Sequence, residues 1–248
     1  MSNAQPASTT NRHAGPHLGL LAIVYTVLFN VGLFAVSGFG IPFGVKPPFF
    51  PGPWEPTSTI VGYFQTHASA VVFCTFFQFG ALIPLGIYTA TVVSRLRFLG
   101  TSAAGPYIAL FGGFMAVFDG SAAAFAAWSM IHPGVAQDAS LTTALYYISY
   151  AFGGPGFSVP MGLLIAGITV PAAFLKLLPK WMVVIGLALA LAGELSWFNL
   201  MFPQVLFLVP LVRFPGFLWL IASGFMLPNQ RRNSTYGDQL GRVPVPGI

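Results

Sequence analysis

Charge is what this chain has least of. Of its 248 residues only 15 are Lys, Arg, Asp or Glu, 6% of the total, where a soluble domain carries about 25%; that excludes a soluble globular protein. Cysteine is almost missing too. Cys74 stands alone inside an apolar run, so an intrachain disulfide is excluded and a structural zinc site would lack thiolates. Common enzyme signatures are also absent: there is no phosphate-binding glycine loop of the Walker kind, no His-Glu-x-x-His, no Gly-x-Ser-x-Gly and no carboxylate-histidine cluster at metal-ligand spacing. Acid–base chemistry by carboxylates alone is the enzymatic route left open, and binding or transport is preferred to it.

What the chain has instead is hydrocarbon. Its hydrophobic fraction is 56% and its mean hydropathy +0.78, and apolar runs of membrane-spanning length recur, each enough to cross roughly 30 Å of hydrocarbon. The expected fold is all-α, a polytopic membrane bundle of six transmembrane helices over about 17–36, 67–92, 105–131, 157–176, 181–200 and 205–227. Residues 1–16 read as a flexible cytoplasmic tail, 17–228 as the transmembrane domain and 229–248 as a second cytoplasmic tail. Ala35-Val36-Ser37 resembles a signal-peptidase site, but the preceding apolar stretch is long, and an uncleaved anchor is the better reading.

Prolines punctuate the spans. Between Ser37 and Gln65, Pro47, Pro48, Pro51, Pro53 and the neighbourhood of Pro56 argue against any regular helix, while Phe49, Phe50 and Trp54 suit an interfacial belt. His132-Pro133-Gly134 is a stop signal. Leu141 to Leu175 is almost continuously apolar and would exceed about 50 Å as one helix. It must break, and Gly153-Gly154-Pro155-Gly156 supplies the break, leaving a short helix over 141–152 before the fourth span.

The net charge of +5 does not point to nucleic acid, because the basic residues sit in short loops between apolar runs. They set orientation instead. Six spans put Arg12, Arg95, Arg97, Lys176, Lys180, Arg231, Arg232 and Arg242 on the side of the termini and Lys46 alone on the other, so the positive-inside rule places both termini in the cytoplasm. No motif recurs between 17–131 and 141–227, so inverted halves are not evident.

Three charges remain inside the membrane: Asp119, Glu194 and Arg213. Each costs about 2.5–3.5 kcal/mol at the centre of a lone helix on insertion scales, so none should face lipid. All three fall between the middle and the outer third of the bilayer, at a depth shared by Asn30 and Gln78. Small-residue stripes, Gly112, Ala116, Gly120 and Ala124 in the third span and Gly186 and Ala190 before Glu194 in the fifth, allow close helix approach. Two readings stand open. The charges form a buried ion-pair network that fixes helix register, or they line an outward-facing polar cavity in which a carboxylate takes a proton or polar headgroup and Arg213 an anionic one.

Two further groups bear on function. Tyr146, Tyr147 and Tyr150 precede the glycine break; an aromatic belt is one reading, and Tyr150 is also carried as a ligand-facing candidate. Backbone unwound at the break would present carbonyls and N–H groups to a ligand. His67 and His132 share an external depth and are the weak metal or haem candidates, with no supporting spacing. The 25 Phe residues suit lipid contact, packing or an apolar ligand such as a quinone.

The segments FGGPGFSVPMGLLIAGITVPA at 152–172, LLPKWMVVIGLALALAGELS at 177–196, PLVRFPGFLWLIASGFMLP at 210–228 and HASAVVFCTFFQFGALIPLGIYTATVVSRLRFLG at 67–100 together resemble small six-span bacterial inner-membrane proteins of a domain-of-unknown-function type. The resemblance spans most of 60–228. It implies six spans and a bacterial inner membrane, and it implies no reaction.

The leading functional expectation is a non-enzymatic membrane protein that binds or transports a small or amphipathic ligand at an outward-facing site built from Asp119, Glu194, Arg213, Gln78, Asn30 and Tyr150. An accessory or structural subunit of a larger membrane complex is the alternative, and a haem- or quinone-binding redox subunit the second. Expected partners are membrane lipids and other membrane-protein subunits, not nucleic acid; no cofactor is specified.

Overall fold

The computed structural model describes residues 12–37 and 49–231. The expected residues 1–11 of the first tail, Lys46 with Pro47 and Pro48, and the second tail from 232 onward lie outside the described residues. Within the described residues every regular element is helical, apart from one isolated antiparallel bridge between Arg12 and Gln230. Five helical stretches are long and apolar enough to cross a membrane, as a multi-pass membrane protein requires: Ala68–Phe98, Gly105–Ser129, Ala139–Phe174, Lys180–Leu200 and Pro203–Met226.

A sixth apolar helix, α1 (Leu18–Phe34), is shorter at 17 residues and reaches about 26 Å. The Nδ1 of His17 caps it by accepting the Leu20 N–H at 3.4 Å. α2 (Thr57–Thr66) is a regular helix where the sequence argued for none. The prolines stop at Pro56, which sits at the helix N-cap, so nothing in the next ten residues lacks an N–H. α3 (Ala68–Phe98) follows after His67 alone and runs past the expected Val92 to take in Arg95 and Arg97 in its last turn, where cations suit the carbonyl end of the dipole. α4 (Gly105–Ser129) starts on Pro106, which has no N–H to leave unpaired.

A single turn, α5 (Pro133–Ala136), leads to α6 (Ala139–Ala151), whose N-cap Asp138 accepts the Ser140 and Leu141 N–H groups at 2.9 and 3.0 Å. The expected break is present as a kink. At the π-type turn Phe152–Gly156, Gly154 takes the non-helical φ −90° and ψ −106° and separates α6 from α7 (Phe157–Phe174). Pro155, next to it, cannot donate to a helical ladder. α8 (Lys180–Leu195) closes on a 3-10 turn, Ser196–Leu200, and α9 (Leu208–Met226) opens from another, Pro203–Phe207.

Six helices close a ring in the order α1, α3, α4, α7, α8, α9 and back to α1. Tyr25, Tyr88, Leu85, Phe157, Ile165 and Trp219 are buried within it. At one end the His13 N–H donates to the Asn229 carbonyl at 2.8 Å, and the His13 ring meets Ser94 Oγ at 3.0 Å, which holds the start of α1 beside the ends of α3 and α9. Arg97 donates to the Tyr107 hydroxyl, and Trp219 Nε1 donates to the Met182 carbonyl at 2.9 Å, joining the loops α3–α4 and α7–α8 to the same end. That end carries Arg12, Arg95, Arg97, Lys176, Lys180 and Arg231.

The opposite end is an aromatic cap. Ile60, Phe64, Val71, Met130 and Tyr146 form a second small core there. The Tyr146 hydroxyl donates to the Pro51 carbonyl at 2.7 Å, and Gln65 Nε2 donates to the Ala136 carbonyl at 2.8 Å. Among the described residues this cap carries Glu55 and Asp138 and no Lys or Arg.

Candidate functional site

A cavity of about 440 Å³ lies between α1, α3, α4, the π turn and α9, roofed by the Phe49–Pro53 segment of the cap. That volume falls in the range of small-molecule sites, roughly 300–1,000 Å³. Its lining is mostly apolar, and among the described residues Arg213 is its single charged residue.

Arg213 reaches the cavity from the second turn of α9. Its guanidinium lies over two rings, 5.4 Å from the Phe29 centroid and 5.1 Å from that of Phe157, and those rings stack on each other at 6.3 Å. One Nη donates to the Gly153 carbonyl, which the kink exposes. Cation–π contacts of about 2 kcal/mol each when desolvated and a charge-assisted hydrogen bond of about 1.5–3 kcal/mol are what hold the cation in this position. Among the described residues it forms no ion pair. Its Nε is closed off and unpartnered, while the second Nη bonds no protein group.

Of the residues expected at the site, Arg213, Gln78 and Tyr150 line this cavity together. The Tyr150 hydroxyl accepts Asn199 Nδ2–H at 2.7 Å, which leaves its own proton uncommitted. The Gln78 amide hydrogen-bonds no protein group. The other three residues lie outside the lining. Asn30 donates to the Thr26 carbonyl of its own helix at 2.7 Å, while its neighbour Phe29, about 100° round the helix, faces the cavity. Asp119 is buried, 6% exposed, with its carboxyl carbon 3.8 Å from where a Cβ on Gly156 would stand; the next residue, Gly120, is the one on the cavity wall. Glu194 is half-buried and its Oε1 is unpartnered, 3.2 Å from a Cβ placed on Gly162. Both carboxylates flank α7, and Arg213 lies apart from them.

Sequence reasoning did not single out Phe29, Asn199 or Ser149, which donates to the Ala123 carbonyl at 3.0 Å beside the kink. A signal for Phe29 existed: Tyr25 and Phe29 are four residues apart on one face of α1. For Asn199 there was none, because its role depends on where the 3-10 turn brings it.

The histidines sit on aromatic neighbours rather than on each other. The His67 ring lies 5.1 Å from Tyr63 and the His132 ring 4.3 Å from Trp128. Among the described residues no group of three metal-ligating side chains occurs.

Comparison with known proteins adds no family: no protein-family model, curated protein or solved structure matches the chain.

Proposed function

We propose that this is a six-span membrane protein with both termini in the cytoplasm, and that it binds a small or amphipathic ligand, for storage or passage, in the cavity around Arg213, which opens toward the external side. The observation that carries the reading is the cavity itself: about 440 Å³, mostly apolar, with one uncompensated cation and the Gln78 and Tyr150 side chains on its wall. Large apolar pockets with a few convergent polar groups are the usual form of small-molecule sites.

Topology has its own support. The pairing of Arg12 with Gln230 and the His13–Asn229 hydrogen bond hold both ends of the ring together, which fits an even number of crossings with α1 counted as one. Six of the described basic residues share that end, and among the described residues the cap that roofs the cavity carries Glu55 and Asp138 and no Lys or Arg, the asymmetry that the positive-inside rule associates with the cytoplasm. A bacterial inner membrane rests on the resemblance in the sequence. Among the residues of the expected site, Asp119 and Glu194 act on helix packing around α7 in this reading, and ligand contact falls to Arg213, Gln78 and Tyr150.

Native mass spectrometry of the full chain, extracted from its own membrane in mild detergent, tests the proposal. The wild-type chain should keep a small-molecule adduct that Val209→Trp loses, because Val209 lines the cavity one turn before Arg213. Bare protein in both, or the same adduct in both, would count against it.

A further inference from the structure

We infer that the cavity selects an oxyanion carried on a single apolar body, such as a single-chain carboxylate or phosphate monoester, with the oxyanion seated on Arg213. This rests on the ligand-binding reading above and names the chemical class that reading leaves open.

The first argument is the unequal supply of donors and acceptors. Among the described residues no carboxylate lines the cavity. An arginine offers five N–H donors and no acceptor, and here a single protein acceptor, the Gly153 carbonyl, is bonded to it. The second Nη is neither closed off nor bonded to protein, so it is the group an entering oxygen meets. Tyr150 stands one turn before Gly153 and has its hydroxyl proton free once Asn199 has donated to it. Gln78 adds an amide with no protein partner. Three donor groups thus line one cavity, which suits a group with several lone pairs and negative charge.

The second argument is what holds the cation in readiness. Phe29 and Phe157 both lie beside the guanidinium, 5.4 and 5.1 Å from its carbon, on rings that stack on each other, and the second Nη is left for hydrogen bonding. A cation packed by rings rather than by a carboxylate has no protein anion for the ligand to displace, which lowers the cost of binding.

The third argument is the remainder of the lining. Leu33, Leu82, Leu206 and Val209 give the space beyond Arg213 an apolar wall, which favours a hydrocarbon or aromatic body over a second polar group. An inorganic anion would leave that wall wet, and a neutral amphiphile would leave the cation without a counter-charge.

The test is thermal unfolding of the full chain in mild detergent micelles with four probes: decanoate, decyl phosphate, decanol and inorganic phosphate. Decanoate or decyl phosphate should raise the Tm at a concentration at least tenfold lower than decanol needs, and inorganic phosphate should do nothing. The stronger of the two anions identifies the headgroup, and either one supports the inference. Arg213→Gln should bring the anion curve onto the decanol curve; the comparison of probes on the wild-type chain stands even where that variant does not fold. Equal shifts by decanol and decanoate that disappear in Val209→Trp would overturn the oxyanion inference and leave the ligand-binding reading intact. Shifts that persist unchanged in Val209→Trp, or none with any probe, would overturn both.

Discussion

The α4–α7–α8 seam and the α1–α3–α9 side of the ring both bring backbones together through glycines but differ around the cavity. In the seam, a Cβ on Gly112 would lie 2.5 Å from the Pro160 carbonyl oxygen, and one on Gly193 would lie 2.7 Å from the Gly162 Cα. On the other side a Cβ on Gly224 would lie 2.6 Å from the Gly19 nitrogen, yet rings stand between the helices nearer the cavity. Tyr25, Phe29 and Phe217 meet edge to face at 5.1 to 6.1 Å, and Phe29 and Phe157 cover the Arg213 guanidinium. Helices in lipid gain little from hydrophobic burial and associate through close packing, which the glycines of the seam provide. The side with rings has room for a cavity. Asp119 and Glu194 flank α7, while Arg213 lies in the cavity over Phe29 and Phe157.

The largest expected effect comes from breaking the seam. Gly112→Val should destabilise the chain by about 3 kcal/mol, the upper end of ordinary overpacking costs, because the obstructing atoms are backbone and cannot turn aside. Thermal unfolding in detergent reads this directly. Ala123→Leu, on the cavity wall, is the matched control and should change stability by less than about 1 kcal/mol because it grows into empty space. Equal losses in the two variants would erase the distinction between the halves.

A smaller loss is expected at the kink. Tyr150→Phe removes the acceptor of buried Asn199 and should cost about 1–3 kcal/mol, the penalty of an unsatisfied buried donor. Tyr147→Phe should cost little, since Tyr147 is exposed. Unfolding of both variants under the same conditions checks the contrast.

Next comes a null effect that sharpens the division. A double-mutant cycle of Asp119→Asn with Arg213→Gln should give a coupling below about 0.5 kcal/mol, as for residues with no shared partner. An ion-pair network, the other reading of these charges, predicts about 3–5 kcal/mol on breaking a buried pair.

Depth was legible in the sequence and azimuth was not. The apolar runs, the stop at Pro133 and the level shared by Arg213 and Gln78, which line one cavity, follow from hydropathy and counting along the chain. Which way each side chain faces did not, because lipid is as apolar as the bundle interior and α1, α3 and α7 carry apolar residues all round; an amphipathic stripe, the usual pointer to an inward face, is missing. Asp119 and Gly120 show the cost: neighbours in sequence, one against the π turn and the other on the cavity wall. The glycine-proline run was legible as a break because Pro155 offers no N–H and Gly154 alone leaves helical geometry there, between a helix ending at Ala151 and one starting at Phe157. α2 was missed because proline density was averaged over a segment, Ser37 to Gln65, that has no proline after Pro56.

The smallest predicted effect concerns the basic end. Desolvation first, and then the charge of Arg95, hold the His13 ring below its ordinary pKa of 6.5. The unfolded segment therefore binds a proton more readily than the docked one. Docking is fully supported above about pH 6.5 and weakens as the pH falls below it. Limited proteolysis at the N-terminal segment should speed up between pH 7.5 and 5.5 in the wild-type chain and lose that pH dependence in His13→Gln, while cleavage in the cap stays unchanged.

The central claim is that Arg213 faces a ligand space and not a carboxylate. An electron cryomicroscopy map of the chain in lipid nanodiscs measures it most directly. The account predicts non-protein density against the free Nη of Arg213, between Phe29, Gln78 and Tyr150, with Asp119 and Glu194 remaining on the flanks of α7. A closed α1–α3–α9 side, with Arg213 ion-paired to either carboxylate and no space beside it, would contradict it.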